Sequence, residues 1–399
     1  MTFPIYPGTE RQKRLVALAG ELADTFARRA NEGEWAGHFP YENYRDLHQS
    51  GYLALTVPRE FGGEGADVLD TLLAQARLAQ GCASTALVTA MHLSTIGRIA
   101  ASTHGPNPLF ERICASVVHD GALINGAATA SGTGSPNRGG QPATTARRQI
   151  DGSWLLNGRK TYTTGSLKLR FFLVSCSIED DTPVEAKLPR LPSDQASFLV
   201  PRDAPGIRIE ETWESVSRRT SASNDLILAN VHLGPNALAD TLGNFTPASM
   251  AQLGAWSFPL HAVYLGIAQG ARDEAIRFAQ RWRPNSLDQP ISSVPHIQEK
   301  IAKIELILLQ SEAVIFRLVE QYLRDATSIS SSQFAAAKYL VTNHAVEVVD
   351  LAMRIVGGAS LSLQKPLQRY YRDVRAGLYH PPMDDATFSL LCQQALKER

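Results

Sequence analysis

Apolar residues recur at threes and fours near the amino terminus, where Leu15, Leu18, Leu22 and Phe26 share one stripe and Thr71 to Leu78 keeps the same habit. That spacing predicts helices for residues 1–122. Pro58-Arg59-Glu60-Phe61-Gly62-Gly63-Glu64-Gly65 breaks the pattern, and its glycines predict a loop with special backbone angles. Between Leu123 and Gly234 the period shortens. Runs such as Phe171 to Val174, Ser197 to Val200, Ile207 to Ile209 and Leu226 to Leu233, separated by Pro, Gly and Asp, predict a β domain over 123–236. Within it Asn157-Gly158, flanked by Trp154-Leu155-Leu156 and Lys160 to Thr164, predicts a two-residue type I′ hairpin turn, and Glu179 to Asp194 a polar excursion. Helical spacing returns over 237–399. Leu265, Ala268, Ala275 and Phe278 mark one stripe, and Ile297, Ile301, Ile304 and Leu308 another. Pro284, Pro290 and Pro295 are breakers, and Ser328 to Ser332 links to a helix over Phe334 to Ile355. The expected fold class is α+β: an amino-terminal helical domain, a β-barrel-like middle domain, and a carboxy-terminal four-helix bundle, with both helical parts sharing a core.

With 399 residues, two or three domains are expected. Acidic and basic residues balance at 39 each, with no long basic run, which argues against a nucleic-acid partner. No uncharged apolar run reaches the length of about 18 that a membrane helix needs, nor does a leader pattern open the chain, so a cytoplasmic protein is expected. Cys82, Cys114, Cys176 and Cys392 lie far apart, so neither a metal site nor a disulfide framework is expected, and all four read as buried small hydrophobes.

The chemistry concentrates in Gly126 to Gly165. There Thr129-Ala130-Ser131-Gly132-Thr133-Gly134-Ser135 pairs glycines that admit a ligand close to the backbone with hydroxyls that hydrogen-bond ring carbonyls or phosphate oxygens. The next strand carries Tyr162, Thr163 and Thr164. This combination points to a cofactor seat.

Several separated motifs, in order, resemble the acyl-CoA dehydrogenase superfamily of flavoproteins. Val57 to Gly65 is similar to its amino-terminal Gly-Gly loop, Thr129 to Pro136 to its flavin loop, and Asn157 to Thr164 to the strand lying against the isoalloxazine. Arg219 to Val231 resembles the Arg-containing strand pair that closes the β domain, and Leu265 to Ala268 the start of the bundle. Gly357-Gly358, Pro366 and Tyr371-Arg372-Asp373 stand at the family's spacing. The resemblance implies FAD as cofactor, with Thr129 and Ser135 at the flavin loop, Tyr162 at the dimethylbenzene end and Thr164 near the reactive ring nitrogen. It also implies a homodimer or homotetramer, in which Arg283, Arg354, Gly357 and Gly358 complete a neighbour's FAD site. A small-molecule substrate follows from it, an acyl-CoA in the family's usual chemistry, with an electron-transfer flavoprotein or another acceptor.

Departures from the pattern are equally informative. The family's usual catalytic glutamate position falls on Pro381 and its alternative on Trp256, neither of which accepts a proton. His380 and Asp384 are the nearby candidate acid or base groups, and His92, Ser135 and Arg219 the candidate substrate contacts. Ala130 and Pro136 replace two acidic residues of the flavin loop. The first expectation is α,β-oxidation of an acyl thioester. Alternatives are a reduced-flavin-dependent monooxygenase, with His380 supporting a flavin C4a-hydroperoxide, and a catalytically silent flavin-binding member.

Overall fold

The computed structural model describes residues 6–102, 107–130, 141–179, 194–239 and 254–397. Five helices come first: α1 (Glu10–Ala36), α2 (Tyr41–Gln49), α3 (Val68–Ala79), α4 (Ala83–Ser102) and α5 (Pro108–Asp120). α1 buries Leu15, Leu22 and Phe26 and keeps Lys13 and Arg14 in water, as its three-and-four spacing predicts. α3 is buried nearly all round, its polar Asp70, Thr71 and Gln75 included, because it is covered by α1 on one side and a carboxy-terminal helix on the other. Its start is fixed by Asp67, whose carboxylate accepts the N–H of Asp70 at 2.8 Å. In the Pro58 to Gly65 loop, Gly62 sits at φ +86°, and a Cβ on Gly63 would fall 2.2 Å from the carbonyl oxygen of Val57.

The middle of the chain forms one sheet of β1 (Leu123–Ala127), β2 (Thr145–Arg148), β3 (Trp154–Thr163), β4 (Leu169–Glu179), β5 (Gln195–Pro201), β6 (Ile207–Glu210) and β7 (Asn224–Leu233). Its order is β1-β4-β2-β3-β7-β6, with β5 also on β4. β1 and β2 run parallel to successive parts of β4, while the other ladders are antiparallel. Among the described residues no ladder joins β6 to β5 or β1, so the paired path is open where a barrel would close.

One local expectation fails. Asn157-Gly158 is no hairpin turn but lies inside the continuous strand β3, at a bulge in its ladder with β7. The turn is instead at Gln149 to Ser153, where Gly152 takes φ +83° and the N–H of Gln149 donates to the carbonyl of Ser153. Gly158 is required for another reason: its φ is +148°, and a Cβ there would meet the Cα of Thr144, just before the neighbouring strand β2, at 2.7 Å. The same dipeptide serves a bulge as readily as a turn, because both need positive φ and a missing side chain.

The carboxy-terminal helices are α6 (Phe258–Arg281), α7 (Pro295–Arg324), α8 (Ser331–Val356), α9 (Pro366–Val374) and α10 (Asp384–Lys397). α6, α7 and α8 pack against one another, and α9 and α10 lie on α8. A capping box starts α8, the Ser330 side chain accepting from the Gln333 backbone while the Gln333 side chain takes the Ser330 N–H. α6 also packs on α3 and α4, so the two helical parts share a core across the chain. Gly266 makes that approach possible, since a Cβ there would lie 2.1 Å from the Ala76 carbonyl oxygen. Cys82, Cys114 and Cys176 are buried, whereas Cys392 is exposed because α10 lies on the surface with Thr387 as its buried residue. Among the described residues no helix is long and apolar enough to cross a membrane.

Candidate active site

A cavity of about 830 Å³ opens where α4, the end of β1, the end of β3, the 213–223 segment, the start of α6 and the 375–383 segment converge. Most of its wall is apolar, supplied by residues such as Leu87, Met91, Leu260 and Met383. A ligand-sized chamber between domains with a few convergent polar groups is the usual form of a small-molecule site.

The first polar wall comes from the sheet. Thr161 donates its N–H to the carbonyl of Thr129 at 2.9 Å, which ties the small-residue loop to β3. Thr164 Oγ1 lies 3.0 Å from Ser223 Oγ, which in turn lies 2.8 Å from Ser221 Oγ. Asn125 Nδ2 donates to the Thr164 carbonyl at 3.0 Å, so this corner is held from three segments at once. Tyr162 takes a left-handed φ of +55°, which swings its ring out to 65% exposure, edge-on to Trp213. Behind them the buried Lys160 Nζ donates to the Ala128 carbonyl at 3.2 Å, and desolvation pulls its pKa down to about 8. Sequence reasoning assigned Lys160 no role.

The second polar wall belongs to the carboxy-terminal part. His380 Nδ1 is 3.0 Å from the Tyr264 hydroxyl, and the two rings meet edge to face. Desolvation, followed by the cations Arg218 and Lys338, pulls the His380 pKa down to about 3. His380 is therefore a neutral imidazole at physiological pH. The contact fits both tautomers: the hydroxyl donates to Nδ1 when Nε2 carries the ring proton, and accepts from Nδ1 when Nε2 is the bare nitrogen. Beside it the Arg218 guanidinium stands over the Tyr264 ring, 5.0 Å from its centre. Arg218 is 1% exposed, and none of its three guanidinium nitrogens has a hydrogen-bond partner among the described groups. Its backbone N–H, by contrast, is held by Asp373 Oδ1 at 2.6 Å. Pro381 and Trp256, the two positions where a glutamate is expected, both line this cavity. Gly97 makes room for the Trp256 ring, which a Cβ there would meet at 2.2 Å.

Of the residues singled out from sequence, Thr129, Tyr162, Thr164 and His380 therefore meet in one chamber. Others stand elsewhere. His92 is fully buried behind the wall, Nε2 at 3.0 Å from the Leu53 carbonyl and Nδ1 accepting the Ile124 N–H at 3.1 Å, so it is a satisfied core histidine and no substrate contact. Arg219 is not a lining residue: its Nε donates to the Glu34 carbonyl at 2.9 Å, and the adjacent Arg218 takes the cavity position. No periodicity in that irregular segment separates the two arginines. Asp384 starts α10 outside the cavity, paired with the buried Lys338 at 3.6 Å and accepting from Asn343 at 3.2 Å, which makes it a structural carboxylate. Arg283 and Arg354 are exposed and are not lining residues, Arg354 being bonded to Asp350 at 2.7 Å. Gly357, at φ +69°, and Gly358 end α8 on the surface. Ser135 and Pro136 lie outside the described residues.

Family models describing the acyl-CoA dehydrogenase amino-terminal, middle and carboxy-terminal domains match residues 9–106, 126–231 and 247–378. YdbM of Bacillus subtilis (strain 168), provisionally named an acyl-CoA dehydrogenase, is 43% identical over 97% of this chain and 98% of its own. The chain belongs to the acyl-CoA dehydrogenase family. It is also 30% identical to the amino sugar nitrososynthase RubN8 of Streptomyces rubradiris, over 86% of this chain and 80% of that one. Butyryl-CoA dehydrogenase from Megasphaera elsdenii shares the fold, with a TM-score of 0.84 and 20% identity over 97% of this chain and 98% of that one. As a member of the acyl-CoA dehydrogenase family this protein is a flavin oxidoreductase, and FAD is the family's flavin.

Proposed function

We propose that the protein oxidises an acyl thioester at its α and β carbons, holding FAD against Thr129, Tyr162 and Thr164 and presenting the substrate to His380. The observation that carries this is the meeting of those four residues in one chamber of about 830 Å³, with Pro381 and Trp256 on its wall where the family places its glutamate. The groups present suit a flavin: hydroxyls at Thr164 and Ser223, an outward aromatic ring at Tyr162, and Gly126, where nothing lies within 4 Å of a Cβ position. When bound, the flavin supplies a two-electron acceptor. The chain itself orients and excludes water. His380 is the group placed to move a proton: it takes one at Nε2 in the tautomer whose Nδ1–H donates to the Tyr264 hydroxyl. Arg283, Arg354, Gly357 and Gly358 are proposed to reach a neighbouring subunit's FAD in a homodimer or homotetramer, their exposed positions away from this chain's cavity being what such a role needs. An electron-transfer flavoprotein or a comparable acceptor would return the flavin to its oxidised form.

Anaerobic addition of a panel of acyl-CoA thioesters to the FAD-loaded protein tests the proposal. Bleaching of the visible flavin band by one of them is expected. A second reading, monooxygenation with flavin reduced elsewhere, is favoured by one specific observation: among the described residues lining the cavity there is no Asp or Glu to take an α proton. A colourless isolated protein that binds reduced flavin and consumes oxygen only with a separate reductase would place that reading first.

A further inference from the structure

Charge in the cavity is one-sided. Its described lining includes Arg218, Arg375 and His380, and no Asp or Glu. Arg375 is partly exposed and rests on the Tyr371 ring, 4.8 Å from its centre, so it belongs to the outer part of the wall. Arg218 is different: it is 1% exposed, and its guanidinium nitrogens have no hydrogen-bond partner among the described groups. Carrying a cation out of water without an anion is among the costliest arrangements a fold can hold. The nearest candidate anion does not relieve it, because Asp373 spends Oδ1 on the Arg218 backbone N–H and forms no ion pair with the side chain. The aromatic neighbour of the guanidinium, Tyr264, 5.0 Å from ring centre to guanidinium carbon, is a neutral phenol and supplies no counter-charge.

We propose that Arg218 is the seat for a free carboxylate on the substrate, so that the protein acts on an acid-bearing acyl compound in preference to a plain hydrocarbon chain. This rests on the chamber being the substrate site of a flavin oxidoreductase. A planar guanidinium edge matches a planar carboxylate with two parallel charge-assisted hydrogen bonds. A singly charged carboxylate is also cheaper to bring into a largely apolar chamber than a phosphate dianion. His380, 3.0 Å from the Tyr264 hydroxyl, stands on the same wall. The guanidinium offers donors only, which selects against an amine and for an oxyanion. Binding would in turn give the buried cation the partner that the fold withholds.

The test uses the full-length, FAD-loaded protein and matched ligands differing only at the terminal group. Perturbation of the flavin's visible spectrum is titrated with glutaryl-CoA against its terminal amide, and with 3-phenylpropanoate against 3-phenylpropanamide, the second pair requiring no thioester chemistry. The carboxylate of each pair is expected to bind about tenfold tighter or more, one bidentate charge-assisted contact. In Arg218→Gln that preference should collapse to about twofold or less, and Arg218→Lys should restore part of it as a point charge. Flavin content and circular dichroism establish that each variant is folded. Should Arg218→Gln fail to fold, the wild-type pairs still decide, since equal affinity for acid and amide overturns the carboxylate seat. Inorganic phosphate competing as well as 3-phenylpropanoate also overturns it. Bleaching by glutaryl-CoA and pentanoyl-CoA with equal efficiency would keep the oxidation and reject the seat. Preference for carboxylates without bleaching by any thioester would keep the seat and reject the oxidation.

Discussion

His92 in α4 and His261 in α6 are both sealed from solvent, at 0% and 2% exposure, yet both ring nitrogens of the first are engaged and neither of the second is. The same contrast runs through the two sides of the molecule near the cavity. On the amino-terminal side, Thr56 closes on Leu93, Thr89 on Thr85, and His92 on Leu53 and Ile124, and the side-chain atoms left without a partner, on Tyr44, Tyr52, Gln75, Ser84 and Ser94, are all uncharged. On the carboxy-terminal side, the Arg218 guanidinium, Trp256 Nε1 and His261 find no hydrogen-bond partner among the described groups, and Lys338 Nζ has only a long ion pair with Asp384. A fold tolerates orphaned polar groups where something other than packing needs them. Orphaned groups occur on both sides, but the charged ones, the Arg218 guanidinium and the Lys338 ammonium, stand on the second, where chemistry is expected.

The largest effect expected is on turnover. His380→Ala should retain FAD and lose turnover by roughly 10²–10⁴, the range for a missing acid or base, and unchanged steady-state rates would remove His380 from the mechanism and erase the contrast. Stability should divide the two buried histidines. His92→Leu strands the Ile124 N–H and the Leu53 carbonyl, and urea denaturation should show a loss of about 2–4 kcal/mol. His261→Leu removes ring nitrogens that have no partner, and should be neutral or stabilising in the same measurement. Equal losses for both would mean that His261 has a bonding role.

Acid sharpens the same comparison at smaller amplitude. Desolvation holds His92 down to about 4 and His261 down to about 3. Unfolded histidines titrate near 6.5, so below that pH the unfolded chain binds protons that the native one refuses. Stability is therefore full above about pH 6.5 and falls as the pH drops toward those folded values, by roughly 1.4 kcal/mol per pH unit for each histidine. Melting curves at pH 7, 6 and 5 should show the decline, and His261→Leu should remove one histidine's share of the slope. Smallest of all, Arg354→Ala breaks an exposed pair with Asp350 and should change stability by about 0.5 kcal/mol or less. Its FAD affinity should nonetheless drop. Unaltered FAD binding would separate Arg354 from any neighbour's cofactor.

Much of the site was legible before the fold. Thr129, Tyr162, Thr164 and His380 could be picked out because motifs around them keep fixed local spacing, and strands and loops carry such spacing directly into space. His92, Arg219 and Asp384 were misplaced for a shared reason. Each is a polar residue near the right segment, and only its neighbours from distant segments decide whether it is spent: Leu53 and Ile124 on His92, Glu34 on Arg219, Lys338 on Asp384. Arg218 was missed for the converse reason, since an unpaired cation is defined by what fails to reach it. Asn157-Gly158 was misread because the dipeptide encodes backbone angles, and those suit a bulge against Thr144 as well as a turn.

The sequence by itself determined the order of helices, strands and helices, the loop at Pro58 to Gly65, and the segments that carry Thr129, Tyr162, Thr164 and His380. Those follow from local periodicity and backbone freedom, which act over a few residues. Tertiary structure alone decided which of two adjacent arginines lines the chamber, which histidines are satisfied, and that two helical segments far apart in the chain close to within a missing Cβ at Gly266. Burial and pairing are properties of groups that meet across the fold, and no local pattern contains them.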